Sequence, residues 1–373
     1  MARVTLIDVA QHCGLSRATV SLVLNDSPLV ATKTRDRVRQ AMVELGYVYN
    51  RAAASLRTQH SDAIGVVLTN ITNPYFAEFA AGLQDVLTSS GTVPLLAVSG
   101  EDRALQHRLV KSLVERNVDG IVLVPAHGTQ PGDLPDLVGT PLVLLARRLT
   151  GLDVDYVGAQ NRDGGYAAAE HLYSHGCRRI AFVGGFTDSS ARQERARGVT
   201  EFLNDHGLTL KADHSVVCEP ARPQAREAAM RLLTANPDVN EPNVDGPNVD
   251  GPNVDGSNVD RPNVDGIVCF SDVVAFGVVD AIADLGRTVG SDVRVIGFDD
   301  VHDAGLNRPS LSSVAVPARE TGRRAGELVL ERAAGSTERT VSEEFPTKLE
   351  PRETCGCPRP RLLALNATFE GST

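Results

Sequence analysis

The stretch of sequence that decides the fold of the amino-terminal part is VTLIDVAQHCGLSRATVSLVL, residues 4–24. Thr5 can cap a helix whose third position is Asp8, and Gly14 supplies the turn that ends this helix. Ser16 can then cap a second helix that reaches the end of the stretch. Two short helices joined through a glycine-containing turn form a helix-turn-helix, in which the polar face of the second helix is the reading surface.

A third short helix is predicted immediately downstream. The apolar side chains of Val38, Ala41 and Leu45 recur at helical spacing, so a helix is expected from about Lys33, and Gly46 is placed to end it. Three short helices with one shared apolar face are typical of a small DNA-binding head.

The segment YVYNRAAASLRTQH, residues 47–60, differs from the three helices before it. Its helix propensity is high from Asn50 to Arg57, but about two turns of helix are too short to be stable alone in water. We therefore expect this segment to be helical only when another part of a complex holds it, and we interpret it as a hinge.

From Ala63 onward, apolar strand-like runs alternate with longer amphipathic stretches. The runs are AIGVVLTN, PLLAVS, GIVLVPA, PLVLLAR, RIAFVGG, GIVCFSD and VRVIGFDD. This alternation is typical of parallel α/β units, and its repetition predicts two doubly wound lobes that bind ligands beyond the carboxyl ends of their strands. The predicted domains are a head at 1–46, a hinge at 47–60, a core at 61–357 and a tail at 358–373.

Five tandem copies of a pentamer, NVDGP, NVDGP, NVDGS, NVDRP and NVDG, lie within residues 243–266. Asn, Asp, Gly and Pro favour turns, and one valine every fifth position builds neither a helix nor a strand face. We interpret the repeat as an exposed insertion in the core, at about 240–266. Its aspartates lack the spacing of a known calcium loop, so no calcium site is predicted.

The charges are unevenly distributed along the chain. The 373 residues carry 37 basic and 47 acidic side chains, a net charge of −10, yet residues 1–60 hold eight basic and four acidic ones. A basic head on an acidic body is expected of a module that binds a polyanion.

Because no apolar run is long enough to span a membrane and no secretion signal opens the chain, we expect a cytoplasmic protein without a membrane partner.

The six cysteines are mostly isolated within apolar runs, which favours reduced core thiols over a disulfide framework. Cys355 and Cys357 could bind a metal, but two thiolates without a second pair or a nearby histidine in the sequence are weak evidence. We therefore predict neither a metal site nor a cofactor.

The usual nucleotide, zinc-protease and serine-hydrolase motifs are also missing, so catalysis is not expected.

Residues 4–58 resemble the DNA-binding head and hinge of the lactose-repressor (LacI/GalR) family of bacterial transcription regulators. The rest of the chain resembles the core of that family, which is similar to periplasmic sugar-binding proteins. The supporting motifs are ITNPYFAE at 71–78, SARQERARG at 190–198, CFSDVVAFG at 269–277, VIGFDD at 295–300 and LEPRETCG at 349–356. The resemblance implies an α/β protein with a three-helix head and a two-lobed, periplasmic-binding-protein-like core.

The resemblance also implies which residues contact DNA. Arg17 and Ala18 would face base edges, Leu22 stands where many relatives have arginine, and Leu56 would enter the minor groove as a wedge. At Ala31 the family often has a capping serine, so Thr32 is expected to cap the third helix instead. The complete set of expected DNA contacts is Thr5, Leu6, Ser16, Arg17, Ala18, Thr19, Ser21, Leu22, Asn25, Thr34, Tyr47, Asn50, Leu56 and Arg57.

For the core, the resemblance implies a cleft that binds a small, sugar-like effector. Tyr75 and Phe76 would stack on the ligand, Arg147 and Arg195 would donate hydrogen bonds to it, and Asp272 would accept them. Many sugar-binding relatives have an acid where this chain has alanine at 146.

The predicted function is a transcriptional repressor that binds a pseudo-palindromic operator as a homodimer under effector control. The tail shows no sustained heptads, so a tail-bundled tetramer is not expected. A solute-binding protein would lack the basic head, and an enzyme would need the motifs that are missing. An activator, or a regulator controlled by a partner protein, remains the alternative.

Overall fold

A computed structural model describes residues 4–24, 27–48, 60–235 and 263–358. The chain divides into two compact units, residues 1–61 and residues 62–373. The hinge helix, most of the pentamer repeat and the tail after residue 358 lie outside the described residues. No helix within the described ranges is long and apolar enough to cross a membrane.

The first unit contains three helices, α1 (Leu6–Cys13), α2 (Arg17–Leu24) and α3 (Thr32–Leu45). The predicted cap of α1 is confirmed, since Asp8 N donates to Thr5 Oγ1 at 3.4 Å and Thr5 N donates to Asp8 Oδ2 at 2.7 Å. Gly14 follows α1 with a φ of 57°, which is a left-handed conformation that favours glycine.

The predicted caps of the next two helices have different outcomes. Ser16 caps α2 as expected, because its Oγ accepts from Thr19 N at 3.1 Å. The expectation that Thr32 caps α3 is wrong: Thr32 is the first residue of the helix, and Ala31 occupies the capping position without a side-chain hydrogen bond. The reason is that α3 begins one residue earlier than the apolar spacing indicates.

The core of the first unit is built from small aliphatic side chains. The buried ones are Val9, Ala10, Cys13, Val20, Val23, Val30, Val38 and Ala41. Arg35 is one of the basic residues counted for the head, but it supports the fold: its Nη2 donates to the carbonyl oxygens of Ser27 at 3.0 Å and Val30 at 3.4 Å. These bonds hold the loop between α2 and α3.

The second unit contains two six-stranded sheets. The first consists of parallel strands in the order β11-β5-β4-β3-β1-β2. Their bounds are β1 Ala63–Leu68, β2 Val93–Val98, β3 Gly120–Leu123, β4 Leu142–Leu145, β5 Asp155–Ala159 and β11 Ser342–Phe345.

The second sheet has the order β12-β10-β9-β8-β6-β7, in which only β12 is antiparallel to its neighbour. The bounds are β6 Ile180–Val183, β7 Ser215–Val216, β8 Gly266–Cys269, β9 Arg294–Asp299, β10 Ser312–Ala315 and β12 Lys348–Glu350. Two mainly parallel sheets, in which the spatial order of the strands differs from their order in the sequence, confirm the prediction of two doubly wound lobes.

Helices cover the faces of both sheets. They are α4 Pro74–Ser89, α5 Arg103–Glu115, α6 Asn161–Ser174, α7 Ser190–Asp205, α8 Arg222–Thr234, α9 Asp272–Asp284, α10 His302–Leu306 and α11 Ala318–Ala333, with 3₁₀ turns at Pro131–Asp133 and Glu353–Cys355. The chain crosses between the sheets after β5, after β10 and after β11, so three connections join the two lobes.

Candidate nucleic-acid interface and effector cavity

The exposed face of α2 carries the residues expected to read bases. Arg17 and Ala18 are exposed, and Leu22 is 40% exposed, whereas Val20 and Val23 on the opposite face are buried in the core of the head. The hydrophobic packing of one face therefore fixes which side chains the other face presents. A large exposed leucine between polar neighbours gives this surface an apolar centre.

The other expected DNA contacts divide into four groups. Thr5 and Ser16 are exposed and cap their helices. Leu6 and Tyr47 pack against the core of the head, which leaves each of them partly exposed. Thr19, Ser21 and Thr34 are half-buried, while Asn25, Asn50, Leu56 and Arg57 lie outside the described residues.

The second unit contains a cavity of about 260 Å³ at the carboxyl ends of strands from both sheets. Loops that follow β1, β2, β4, β8 and β9 form its wall, as doubly wound folds require. The lining residues include Thr69, Asn70, Tyr75, Phe76, Glu101, Ala146, Arg147, Arg195, Phe270, Ser271 and Asp299. Four of the five expected effector-binding residues lie in this lining.

The start of α4 places two aromatic rings in the cavity wall. Asn73 caps the helix by accepting from Tyr75 N at 3.1 Å, and Pro74 occupies its first turn. Tyr75 and Phe76 consequently follow the end of β1 and contact each other edge to face, with ring centroids 5.4 Å apart. Burial raises the pKa of the Tyr75 hydroxyl far above its usual value, so this side chain stays neutral.

Arg147 is held by an acid that the sequence reasoning missed. Its Nη1 and Nη2 donate to the two carboxylate oxygens of Glu101, each at 2.8 Å, and Nη1 also donates to the carbonyl oxygen of Pro125. Burial disfavours the Glu101 carboxylate, but the hydrogen bonds and the charge of Arg147, together with the hydrogen bond from His127 N, lower the pKa of the acid overall. The pair presents a fixed, charge-compensated polar group to the cavity.

Arg195 lies on α7 within a second polar network. Its Nε donates to Asn161 Oδ1 at 2.8 Å, Nη1 donates to the carbonyl oxygen of Phe270, and Nη1 lies 3.5 Å from Asp299 Oδ1. The guanidinium also lies 3.6 Å from the centre of the Phe298 ring. Arg195 therefore reaches the cavity with a rigid orientation.

Three cavity residues that are not glycine have a left-handed backbone. The φ angles are 64° at Glu101, 62° at Ala146 and 107° at Asp299. Such conformations cost of the order of 1–3 kcal/mol each and persist where the surrounding structure enforces them. Their concentration in the wall of one cavity supports a binding role for this part of the molecule.

Asp272 is the expected effector residue that the structure does not bring to the cavity. Its side chain is fully buried below the wall, where Oδ2 accepts from Val301 N at 2.8 Å and Oδ1 accepts from Ser313 Oγ at 2.5 Å. This placement differs from the expectation that it accepts from ligand hydroxyls: its bonds join α9 to β10 and to Val301, the residue before α10. Burial raises its pKa well above the usual range.

Asp299, and not Asp272, is the acid that lies beside Arg195 in the cavity wall. It belongs to the motif VIGFDD, which supports the family resemblance but predicts no role for this acid. A carboxylate that follows a buried strand, as Asp299 follows the last apolar residue of β9, was the available signal. Glu101 gave no such signal, because it lies in an unremarkable polar loop.

The fold and the cavity define a class of protein: a helix-turn-helix unit in one chain with a two-sheet, ligand-binding core of the periplasmic-binding-protein type. Residues 5–50 match the family described as bacterial regulatory proteins of the lacI family. Residues 61–245 match the periplasmic binding proteins and sugar-binding domain of the LacI family, and residues 169–355 match the periplasmic binding protein-like domain. The chain belongs to the LacI family of bacterial transcription regulators.

Relatives match over nearly the whole chain. The regulator CelR of Thermobifida fusca is 32% identical over 361 residues, which cover 94% of this chain and 98% of that protein. The maltose regulon regulatory protein MalI of Escherichia coli is 30% identical over 332 residues, covering 86% and 90%. These relatives are transcriptional regulators.

Solved structures show the same architecture. A complex of CelR with cellobiose has a TM-score of 0.66 and 28% identity, and the match covers 94% of this chain and all of that one. The lac repressor dimer bound to operator and an anti-inducer has a TM-score of 0.76, with 95% and 99% coverage. Its 23% identity makes it a comparison of fold alone.

Proposed function

We propose that this protein is a repressor that binds a pseudo-palindromic DNA operator as a homodimer, and that an uncharged, sugar-like molecule in the cavity controls this binding. We further propose that residues 1–46 are the DNA-binding head, 47–60 the hinge, 61–357 the effector-binding and dimerisation core, and 358–373 a tail. The observation that carries the proposal is the polar cavity at the strand ends, in which each of two guanidinium groups lies beside a carboxyl group.

The head would read DNA through the exposed face of α2. Arg17 can donate two hydrogen bonds to a guanine, and Ala18 can contact a thymine methyl group. Leu22 offers an apolar contact where family members often have arginine, so the operator differs from theirs at that position. The surrounding hydroxyl and amide groups would bind phosphates, namely those of Thr5, Ser16, Thr19, Ser21, Asn25 and Thr34.

The hinge would add the second group of DNA contacts. Leu56 would insert between two base pairs of the minor groove, at a cost of a few kcal/mol of unstacking, and the bent DNA would then contact more protein. Asn50 and Arg57 would contact the backbone beside it, with Leu6 and Tyr47 supporting the head on the DNA. Since a two-turn helix is marginal alone, effector binding can control whether it forms.

The cavity favours a ligand without net charge. The two guanidinium groups in the wall each have a carboxylate beside them, Glu101 for Arg147 and Asp299 for Arg195. A third carboxylate, that of the exposed Glu219, also lines the cavity. An anionic ligand would have to break these pairs or leave a buried carboxylate without its partner, which is costly. Hydroxyl groups, in contrast, can accept from the guanidinium N–H groups and donate to the carboxylates.

The aromatic side of the cavity complements this polar side. Tyr75 and Phe76 can cover the C–H face of a sugar ring, while Arg147, Arg195 and Asp299 meet its hydroxyl groups. The names of several relatives agree with such a ligand: a structure of CelR contains cellobiose, and two relatives are ribose operon repressors.

The ligand class can be tested by thermal shift and calorimetry on the full chain with uncharged sugars, sugar phosphates, sugar acids and nucleosides. Arg147→Gln should weaken the binding of an uncharged sugar by about tenfold or more, because a hydrogen bond to a charged group contributes about 1.5–3 kcal/mol. The neighbouring Arg148→Gln is the matched control, since Arg148 pairs with Glu344 and does not line the cavity.

Two results would contradict the proposed ligand class. One is tight binding of anionic compounds alone, without any response to uncharged sugars. The other is an equal loss of sugar affinity in Arg147→Gln and Arg148→Gln while circular dichroism shows both variants to be folded.

A further inference from the structure

Two histidines and two cysteines meet on the second-sheet lobe, apart from the cavity. His171 lies in the last turn of α6, and His175 is the residue that caps the end of this helix. Cys355 ends the 3₁₀ turn Glu353–Cys355, and Cys357 follows two residues later. The two pairs are separated by 184 residues of sequence between His171 and Cys355, so only the fold brings them together.

Three of the four donor atoms lie at distances that suit a common metal ion, and the fourth, Cys355 Sγ, adjoins this group at His171. Cys355 Sγ lies 3.1 Å from His171 Nε2, and Cys357 Sγ lies 3.7 Å from His171 Nε2 and 3.4 Å from His175 Nε2. One donor atom each from His171, His175 and Cys357 fall within 4.8 Å of one another. A tetrahedral zinc ion with Zn–S and Zn–N bonds of about 2.3 and 2.05 Å separates its sulfur and nitrogen ligands by about 3.5 Å.

The tautomer of His175 is already that of a metal ligand. Its Nδ1 lies 2.9 Å from the carbonyl oxygen of His171. Because a carbonyl oxygen only accepts, Nδ1 must carry the proton, which leaves the lone pair of Nε2 directed at Cys357. Metal-binding histidines commonly use their second nitrogen in this way, and the bond fixes the orientation of the ring.

The cysteine side of the cluster is equally well positioned. Cys355 is fully buried, and its backbone N donates to Ser312 Oγ at 3.2 Å, whereas Cys357 and both histidines are half-buried and open to an arriving ion.

Within the described ranges, no second group of three or more potential metal ligands has such spacing. The cluster also strengthens the Cys-Gly-Cys sequence as evidence for a metal site, because the fold supplies the histidines that the neighbouring sequence lacks. The sequence could not show that the end of α6 lies beside it.

We propose that His171, His175, Cys355 and Cys357 form a structural zinc(II) site that fastens the carboxyl-terminal segment to α6. Thiolate and imidazole ligands select zinc over magnesium or calcium, and four protein ligands leave no open position for catalysis. On binding, the thiols of Cys355 and Cys357 each give up a proton to the solvent, and both sulfurs coordinate the ion as thiolates. The ion thereby links the end of α6 to the segment that follows β12.

The test uses the full chain, reduced and freed of metal with a chelator, and titrated with Zn²⁺ and with Co²⁺ as a spectroscopic probe. We expect one equivalent of zinc per chain, the intense visible bands of tetrahedral cobalt and a thiolate-to-cobalt charge-transfer band. Zinc should also raise Tm. His175→Gln and Cys357→Ser should each weaken zinc binding by at least about tenfold, as loss of metal-site groups does.

Matched controls are available in the same lobe. His206 caps the end of α7, and its Nδ1 lies 2.9 Å from the carbonyl oxygen of Phe202, so it repeats the setting of His175. Cys218 is half-buried, like Cys357. His206→Gln and Cys218→Ser should leave zinc stoichiometry and affinity unchanged.

The proposal is overturned if the reduced protein binds no stoichiometric zinc, or if the cobalt complex has no thiolate band. It is also overturned if His175→Gln, at a half-exposed position where folding is readily checked by circular dichroism, binds zinc as tightly as the unaltered chain. These results are independent of the ligand in the cavity and of DNA.

Discussion

Asp299 combines a left-handed backbone with a buried carboxyl group in the cavity wall. Its φ is 107°, and its side chain faces Arg195 Nη1 at 3.5 Å. Burial raises the pKa of this carboxyl to about 7, although the charge of Arg195 acts in the opposite direction. The charge of Arg195 is therefore fully balanced by the Asp299 carboxylate only above about pH 7. Effector binding should change with pH in the same range.

The raised pKa of Asp299 predicts a pH dependence of stability. In the unfolded chain the carboxyl loses its proton near its ordinary pKa of 3.8, whereas the folded protein retains it until about pH 7. The contribution of this group to the free energy of unfolding is therefore fully present below about pH 4 and is lost as the pH rises through 7. Urea unfolding of the full chain between pH 4 and 8 measures it.

Asp299→Asn isolates the effect, because asparagine stays neutral and tolerates a positive φ. As the pH rises from 4 to 7, the free energy of unfolding of the unaltered protein should fall relative to that of Asp299→Asn. Asp303→Asn, at an exposed position on α10, is the control. A difference that is independent of pH would show that Asp299 is ionised throughout this range.

At the scale of residues, the sequence located the cavity better than it located the acids in it. Tyr75, Phe76, Arg147 and Arg195 were identified from their motifs and lie in the wall. Asp272 was misplaced because a position after a strand does not reveal whether a carboxylate turns toward the cavity or under the sheet. The partners Glu101 and Asn161 become visible only through contacts across the fold.

At the scale of elements, the sequence predicts strands that are continuous apolar runs, as strands buried on both faces of a sheet commonly are. Each of the seven predicted runs contains a strand. Five strands, β5, β7, β10, β11 and β12, were not predicted. Of these, β10, β11 and β12, with the sequences SSVA, SEEF and KLE, are short and polar. The edge strand β12 and the neighbouring β10 are stabilised by side-chain bonds that join distant segments, which no local pattern can indicate.

The start of α3 offers a second test at this scale. Ala31 has the extended backbone of a helix cap, with φ −61° and ψ 144°, but provides no side-chain acceptor. Ala31→Ser should stabilise the head by about 1 kcal/mol by accepting from the backbone N–H groups of the first turn. Hydrogen exchange of the head amides in the full chain measures this change.

A non-capping substitution at the same position completes this test. Ala31→Val suits the extended backbone but supplies no acceptor, so it should give no increase in protection. Equal protection in Ala31→Ser and Ala31→Val would mean that the cap is not what limits the stability of α3.

At the scale of the whole molecule, one chain contains both a DNA-binding unit and a ligand-binding unit. If both ligands bias the same conformational equilibrium, each must change the affinity of the other by the same factor. Such couplings typically amount to 5–150-fold, or about 1–3 kcal/mol. Induction and corepression differ only in the sign of this coupling.

The most direct test is a binding cycle on the full chain by fluorescence anisotropy and calorimetry, with DNA from upstream of its own coding region. The predicted result is salt-sensitive, sequence-specific binding whose Kd changes at least fivefold with a saturating uncharged sugar, while DNA changes the sugar Kd by the same factor. Arg17→Ala should remove the preference for the specific site, and exposed Arg116→Ala should not. A sugar that binds the cavity yet leaves the DNA affinity unchanged would contradict the account.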